Sequence, residues 1–288
     1  MPTDGNKQPA GHPISFREIE GADVAGHGDL MEQIFRAEIT GVVVHDALPQ
    51  SLVERGLELL ASDSLASAWC SPNAGMPGGE IRTIGDAATP TYTAFGGPTA
   101  ERYTASTVTH AEVTETIFSD AKPTPHIRRI LSGLFGGKPA GPSTFKDGTK
   151  WLPFNYRALD PGVQIYSHHD NHYGLQIYED FDTELDRSRL LSWFITLQPA
   201  EQDGDLIVYG LWGSDPNPPM LPTRFLDTAA LERDYLRKVV ELRAGDMVIF
   251  DAGRHVHRVS PVGGARPRVT LGGFLTTDQA GSRVAFWS

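Results

Sequence analysis

The stretch GDMVIFDAGRHVHRVSPVGGARPRVTLGGFLTT, residues 245–277, sets the expectation for the fold. It holds the short apolar strands DMVIF, HRVSPV and RVTLGGFLTT, with the turn signals RAGD before the first and VGGARP before the third. Short strands with turn residues between them at regular intervals are typical of antiparallel sandwiches and barrels. This part of the chain therefore predicts an all-β core.

The same pattern extends back to about residue 141. The turn signals DPG and QDGD separate further short strands. The sequences of these strands are WLPFNYRAL, VQIYSHH, LLSWFITLQ, DLIVYGLW and RKVVELRA, and one more strand, RVAFWS, ends the chain. This pattern favours a double-stranded β-helix, or jelly roll, over about 141–288.

The first half is predicted to be mixed. Amphipathic periodicity indicates helices, and β-branched runs indicate strands. The predicted helices are 28–38, 51–62, 107–118 and 125–137, and the predicted strands are 14–20 and 40–49. The aperiodic, Gly- and Pro-rich segment from Ala68 to Ser106 is predicted to be a lid, and residues 1–13 a flexible tail. We expect an α+β fold in one domain, 14–288, with a helical buttress and lid over about 14–140.

Composition excludes several classes of function. The chain has 288 residues, a net charge of −11 and one cysteine, Cys70. An acidic protein is a poor partner for nucleic acid or an anionic membrane, so we expect a small-molecule partner. The polar N-terminus lacks the apolar core of a secretory signal, which predicts a cytoplasmic protein. No GxGxxG or GxxxxGK[ST] phosphate loop occurs, and the sequence leaves the oligomeric state open.

The segment YSHHDNHYG, residues 166–174, is the first candidate site. On a strand, side chains two apart share a face, so His168 and Asp170 would project together and His169 away from them. Two such ligands need one distant histidine to complete the 2-His-1-carboxylate arrangement that holds non-haem iron. A second His-x-Glu pair, His110 and Glu112, lies in a predicted helix, where such side chains diverge, and is assigned to a solvated helix face.

The opening stretch supplies the missing histidine. His255 and His257 are both plausible on spacing, and the following RVSPV sequence favours His257. It lies 257 − 168 = 89 residues after His168, which leaves room for the intervening strands of a jelly roll. Arg268 follows His257 by eleven residues, in the sequence RVTLGGFL.

This order of motifs, HxD, then HxVxPV, then RxT, resembles the iron(II)/2-oxoglutarate-dependent oxygenases. The C-terminal half is similar to the standalone aliphatic halogenases of welwitindolinone and hapalindole biosynthesis and to the N-succinyl amino acid hydroxylases. The resemblance implies Fe(II), 2-oxoglutarate and O2 as cofactor and co-substrates, with His168, Asp170 and His257 as metal ligands. It implies that Arg268 binds the distal carboxylate of 2-oxoglutarate and that Thr270 adds a hydrogen bond, with no catalytic residue beyond the metal ligands.

One departure separates this chain from those halogenases. They carry a small residue where the carboxylate ligand would be, which opens a coordination position for chloride, whereas this chain keeps Asp170. The sequence therefore predicts hydroxylation of an unactivated C–H bond in a small molecule, an amino acid derivative or natural-product intermediate, with release of succinate and CO2. Desaturation, cyclisation and epimerisation at the same iron remain alternatives, as does a non-catalytic cupin-type binding protein.

Three residues are candidates for substrate binding. Arg82 is the one cation of the segment SPNAGMPGGEIRTIGD and could clamp an anionic substrate group. His172 could reach the mouth of the site, and Trp193 is one of several aromatic residues that could line the pocket.

Overall fold

A computed structural model describes residues 9–71, 78–85, 107–114, 122–144, 146, 148, 151–170, 182 and 184–288. Among them helices and a large, mainly antiparallel sheet are combined, as the predicted α+β class requires. The helices are α1 Leu30–Phe35, α2 Gln50–Leu60, α3 107–114, α4 Pro123–Leu134 and α5 Thr228–Asp234. No helix in these ranges combines the length and the apolar character needed to cross a lipid bilayer.

Fifteen strands are found in the described ranges. They are β1 Phe16–Glu20, β2 Gly41–His45, β3 Ile81–Ile84, β4 Ala140–Pro142, β5 Asn155–Leu159, β6 Ile165–His168, β7 Leu191–Gln198, β8 Gln202–Asp203, β9 Leu206–Trp212, β10 Arg237–Val240, β11 Met247–Phe250, β12 His255–Val259, β13 Val262–Gly263, β14 Arg268–Thr277 and β15 Val284–Trp287.

Two sheets carry most of these strands. The large sheet has the order β1-β2-β11-β7-β14-β15-β4, and β5 pairs with both β14 and β3. The small sheet has the order β10-β9-β12-β6, so that β6 is its edge strand in the part of the chain that the structure describes. Strands β8 and β13 form a separate two-stranded ribbon.

The outer face of the large sheet packs against the helices. Trp193, Ile195 and Leu197 alternate along β7 and lie in one cluster with buried side chains of α1, α2 and α4. The apolar stripe of each helix is buried there, which is why amphipathic helices were readable in the sequence.

The opposite face of the large sheet, here called the inner face, meets the small sheet. Val43, Val248 and Phe250 from the large sheet pack with Leu206 and Val208 from β9. Alternation along β7 places Ser192, Phe194 and Thr196 on this inner face. This apolar cluster fills part of the space between the two sheets, Leu159 and Val259 belong to a second cluster there, and the polar residues described below face the same space.

Two predicted features differ from the structure. Residues 9–13 of the predicted tail are ordered, since Ala10 pairs with Tyr235 and His12 stacks on Trp212 with 3.7 Å between ring centroids. Within the predicted lid, residues 81–84 form β3, which pairs with β5. A strand this short in a Gly- and Pro-rich segment is stabilised by its pairing with β5, which local sequence does not reveal.

Candidate metal centre

Backbone register brings the two predicted histidine ligands together. Strands β6 and β12 are antiparallel, and His168 lies directly opposite His257. Residues opposite each other in an antiparallel pair project on the same side, and the two imidazole ring centroids are 4.3 Å apart. Asp170 lies two residues beyond His168, where its backbone N–H donates to the carbonyl of Ala252.

The three side chains form a compact donor cluster. The Oδ1 atom of Asp170 lies 3.4 Å from Nε2 of His168 and 3.9 Å from Nε2 of His257. One ligand atom from each residue lies within 4.8 Å of the others. Asp170 and His257 are each only 6% exposed, whereas the His168 side chain is 25% exposed, so water reaches the cluster from the side of His168.

Hydrogen bonds to the backbone set the tautomer of both histidines. Nδ1 of His168 lies 2.6 Å from the carbonyl oxygen of Tyr166, and Nδ1 of His257 lies 3.0 Å from that of His255. A carbonyl can only accept, so each Nδ1 carries the proton and donates it. Each Nε2 therefore keeps its lone pair and faces Asp170, as a metal ligand must.

Ser192 holds the carboxylate of Asp170. Its hydroxyl donates a short hydrogen bond to Oδ2, the oxygen that faces away from the histidines. Ser192 lies on the inner face of β7, so the large sheet orients a ligand that follows the small sheet. Oδ1 is thereby left as the oxygen available to a cation.

The charges and hydrogen bonds of the cluster favour the ionised form of Asp170. Burial would raise the pKa of Asp170, but the hydrogen bond with His168, the charges of both histidines and the bond from Ser192 lower it to about 2. Burial, followed by the charge of His168, lowers the pKa of His257 to about 4. Burial would also lower the pKa of His168, yet its contacts with Asp170 raise it. His168 is the histidine nearer to the carboxylate, which accounts for the difference.

His255 lies outside the cluster, although spacing alone allowed it. Its Nδ1 lies 3.1 Å from the carbonyl of Tyr209, and its ring meets Trp212 edge-on at 6.1 Å. The pairing of β12 with β9 shifts register between His255 and His257. Such an irregularity re-aims side chains, so the two histidines do not act as a pair.

Arg268 and Thr270 also face the inner space. Thr270 is opposite Thr196 on β7, and the guanidinium of Arg268 lies 4.9 Å from the ring centroid of Phe194. Arg268 is 5% exposed. Burial, followed by the positive charge of Arg157, lowers its pKa to about 10. Among the described residues no carboxylate oxygen lies within 4 Å of this guanidinium.

The sequence reasoning missed two inward residues, Ser192 and Arg157. Arg157 on β5 is opposite Thr270, and therefore lies on the same inner face. A signal did exist for Arg157, because it is a lone cation between Tyr156 and Ala158 in a strand that is otherwise buried. Ser192 carried no comparable signal.

Two predicted substrate contacts are corrected by the structure. Trp193 is 1% exposed on the outer face of β7, where its indole N–H donates to the carbonyl of Phe274. Arg82 alternates with the inward Thr83, so it lies on the outer face of β3. There it forms two hydrogen bonds with Asp160, of 2.9 and 2.7 Å. The prediction for His172 falls outside the described residues.

The donor set fits the predicted cofactors. Two imidazole nitrogens and one carboxylate oxygen on one side of a cation are the set that non-haem iron(II) oxygenases use, with the other positions open. Arg268 is buried and has no carboxylate partner among the described residues, and its guanidinium has the bidentate geometry that suits a carboxylate such as the distal one of 2-oxoglutarate.

Comparison with known proteins identifies the family to which the sequence is similar. Residues 13–288 match the model of the family described as carrier-protein-independent halogenase WelO5. This match confirms the resemblance seen in the sequence and, together with the donor cluster, the predicted cofactors Fe(II) and 2-oxoglutarate. No curated protein sequence matches the chain significantly.

Several solved structures are similar to the chain. An N-substituted L-amino acid dioxygenase from Burkholderia ambifaria AMMD is 16% identical, with a TM-score of 0.48 and coverage of 91% of each chain. The epimerase SnoN from nogalamycin biosynthesis is 15% identical, with a TM-score of 0.48, over 86% of this chain and 83% of that one. The carbocyclase SnoK from the same biosynthesis is 16% identical, with a TM-score of 0.48, over 85% and 86%.

Proposed function

Because the chain belongs to the WelO5 family of carrier-protein-independent halogenases but has a carboxylate in its donor cluster, we propose that it is an iron(II)/2-oxoglutarate-dependent hydroxylase rather than a halogenase. The observation that carries this proposal is the position of Asp170. Its Oδ1 faces both Nε2 atoms, at 3.4 and 3.9 Å, where a third protein ligand would be.

Each residue of the site has a separate role in the proposed function. His168, Asp170 and His257 would hold Fe(II), while Arg268 and Thr270 would hold the distal carboxylate of 2-oxoglutarate from the inner face of β14. When bound, iron(II) with 2-oxoglutarate and O2 supplies the oxidation of an unactivated C–H bond, with release of succinate and CO2. Shielding by the two sheets limits the access of water to that chemistry.

Asp170 disfavours a halide in two ways. A carboxylate ligand occupies the position that halogenases of this kind leave for chloride, and its negative charge repels a second anion. Ser192 keeps Oδ2 engaged, so that Asp170 is held toward the histidines rather than turned away.

The proposal includes a small-molecule substrate, an amino acid derivative or natural-product intermediate. The net charge of −11 supports this choice, because it opposes binding to nucleic acid or an anionic membrane. We also infer that the two facing sheets form the double-stranded β-helix predicted from the sequence, with the helices packed outside it.

Anaerobic spectroscopy tests the cofactors. Fe(II) and 2-oxoglutarate added together should give the weak visible charge-transfer band near ~500 nm expected when a keto acid chelates an iron with open positions. Arg268→Ala should lose the band at matched concentration. Arg266→Ala is the matched control, since this arginine is solvent-exposed and pairs with Glu201. A wild-type protein that binds iron but shows no band would contradict the proposal.

Product analysis tests the reaction. With a substrate that accelerates 2-oxoglutarate consumption, the product should gain one oxygen atom in buffer with or without sodium chloride. A chlorinated product from the wild-type protein would overturn the assignment. Loss of two hydrogen atoms, or inversion without a change in mass, would instead point to desaturation, cyclisation or epimerisation at the same iron.

A further inference from the structure

The inner face carries a second arginine, Arg157, which no part of the proposed cofactor chemistry requires. Its register partners are Thr270 on β14 and Thr83 on β3. Thr270 is in turn opposite Thr196, which shares the inner face of β7 with Ser192. This chain of pairings places Arg157 on the side of the sheet from which Ser192 reaches Asp170.

The electrostatic couplings agree with that placement. Burial lowers the pKa of Arg157, while the negative charge of Asp170 acts in the opposite direction. The positive charge of Arg157 in turn lowers the pKa of both Arg268 and His168. Arg157 therefore lies within electrostatic range of both the donor cluster and Arg268.

Arg157 has no anionic partner of its own among the described residues. No carboxylate oxygen there lies within 4 Å of its guanidinium. Asp170, the acid that influences it, is engaged by Ser192 and by the histidines. Arg157 is half-buried. A guanidinium that loses part of its hydration without gaining a counter-charge is destabilising, and a ligand that brings the missing anion offsets this effect.

In the proposed function the distal carboxylate of 2-oxoglutarate would pair with Arg268, and the carboxylate beside the keto group would be taken up by the metal. On that assignment the anion for Arg157 would come from another molecule that lies near the metal.

We propose that Arg157 binds a carboxylate of the substrate, so that the enzyme acts on carboxylic acids in preference to their neutral analogues. This inference rests on the proposed function and narrows its substrate class. The planar guanidinium donates two parallel hydrogen bonds to a carboxylate, which would orient the substrate with its C–H bonds toward the donor cluster.

The test uses a matched pair of probes, N-acetyl-L-leucine and N-acetyl-L-leucinamide, which differ in charge at one group. Full-length protein with Fe(II) and 2-oxoglutarate is titrated anaerobically with each probe, and the perturbation of the charge-transfer band is followed. We expect the acid to bind at least about tenfold more tightly than the amide, because hydrogen bonds to charged groups contribute that much.

Variants of Arg157 test whether this residue causes the preference for the acid over the amide. Arg157→Gln should lose the preference for the acid while its affinity for 2-oxoglutarate stays within about twofold of wild type. Arg157→Lys, which keeps the positive charge, should retain part of the preference for the acid over the amide. Arg266→Gln is the control for replacing an exposed arginine and should behave as wild type. Thermal unfolding of each variant confirms that it is folded.

Each remaining outcome counts against the inference in a distinct way. Equal binding of the two probes, or binding of neither, overturns the carboxylate preference. A loss of 2-oxoglutarate affinity in Arg157→Gln comparable with that in Arg268→Ala would assign Arg157 to the co-substrate instead. If the wild-type band never forms, the proposed function itself has failed, whereas a normal band without discrimination between the probes refutes only the role of Arg157.

Discussion

The hydroxyl of Ser192 donates to Oδ2 of Asp170, the carboxylate oxygen that faces away from His168 and His257. This single bond joins the large sheet, through β7, to a residue that follows the edge strand of the small sheet. The orientation of the carboxylate is thus fixed by a strand that supplies no metal ligand itself.

Removing this bond should weaken metal binding. Ser192→Ala frees Asp170 to rotate, and loss of such an outer-shell partner typically lowers metal affinity about 10- to 100-fold. Competition titration with a chromophoric chelator would measure the affinity for Fe(II) or Co(II). Ser188→Ala removes an exposed hydroxyl that bonds to Asp186 and should leave the affinity unchanged. Equal affinities for the wild type and Ser192→Ala would show that Asp170 is oriented by other contacts.

Gly213 should be required for the same site. A Cβ atom built at this position would lie 2.6 Å from Nδ1 of His169, the residue between His168 and Asp170. Gly213→Ala must displace His169, and overpacking of this kind costs about 1–3 kcal/mol of unfolding free energy. We expect weaker metal binding together with lower stability in urea denaturation. Gly26→Ala, where no atom lies within 4 Å of the added Cβ, is the control. A Gly213→Ala variant with wild-type metal affinity would contradict the argument.

Trp193 should matter for stability and not for ligand binding. Trp193→Phe removes buried ring atoms and leaves the carbonyl of Phe274 without its indole donor, at a combined cost of about 1–3 kcal/mol. Urea denaturation measures this cost, and the anaerobic 2-oxoglutarate titration should be unchanged. Impaired 2-oxoglutarate binding with undiminished stability would restore the role in the pocket that the sequence suggested.

His110 should make the fold sensitive to acid. The sequence assigned it to a solvated helix face, yet it is 1% exposed in α3, stacked on Tyr156 and edge-on to Phe154. Burial lowers its pKa from 6.5 to about 3. The unfolded chain therefore takes up this proton first as the pH falls below 6.5, and stability declines by about 1.4 kcal/mol per pH unit from this group until the folded-state pKa is reached.

The variant His110→Phe should remove that part of the acid sensitivity. Urea denaturation at a series of pH values between about 7 and 5 would give a shallower decline for His110→Phe than for the wild type. His27→Phe, at a partly exposed position, serves as the control and should follow the wild-type curve. Identical slopes for His110→Phe and the wild type would mean that His110 is accessible to protons in the folded state.

The metal centre was predictable because two of its ligands are close in sequence and a motif marks the third. His168 and Asp170 are two apart beside a strand, and the RVSPV sequence after His257 distinguished it from His255. Register then placed His257 opposite His168. The irregularity in β12 that excludes His255 depends on pairing with β9, which the sequence does not show.

The inward residues beyond the triad were harder to predict. Polar residues alternate with mostly apolar ones along both strands, in NYRAL of β5 and LSWFITLQ of β7. Such alternation usually marks the polar side as the one that faces solvent, whereas Arg157 and Ser192 face the space between the two sheets. Arg82 and Arg157 could not be told apart in the sequence for this reason, although Arg82 pairs with Asp160 outside and Arg157 lies on the inner face.

The position of His168 on an edge strand has a consequence for handling the protein. Strand β6 has four residues, and among the strands of the described ranges it pairs with β12 alone. A metal held by His168 and His257 would cross-link these two strands and stop the edge from peeling away. Edge strands that open expose unpaired backbone groups, which recruit other chains into aggregates. Chelators during purification would therefore lower the solubility of the protein as well as remove the metal. Turbidity during demetallation would report how readily this edge strand separates from β12.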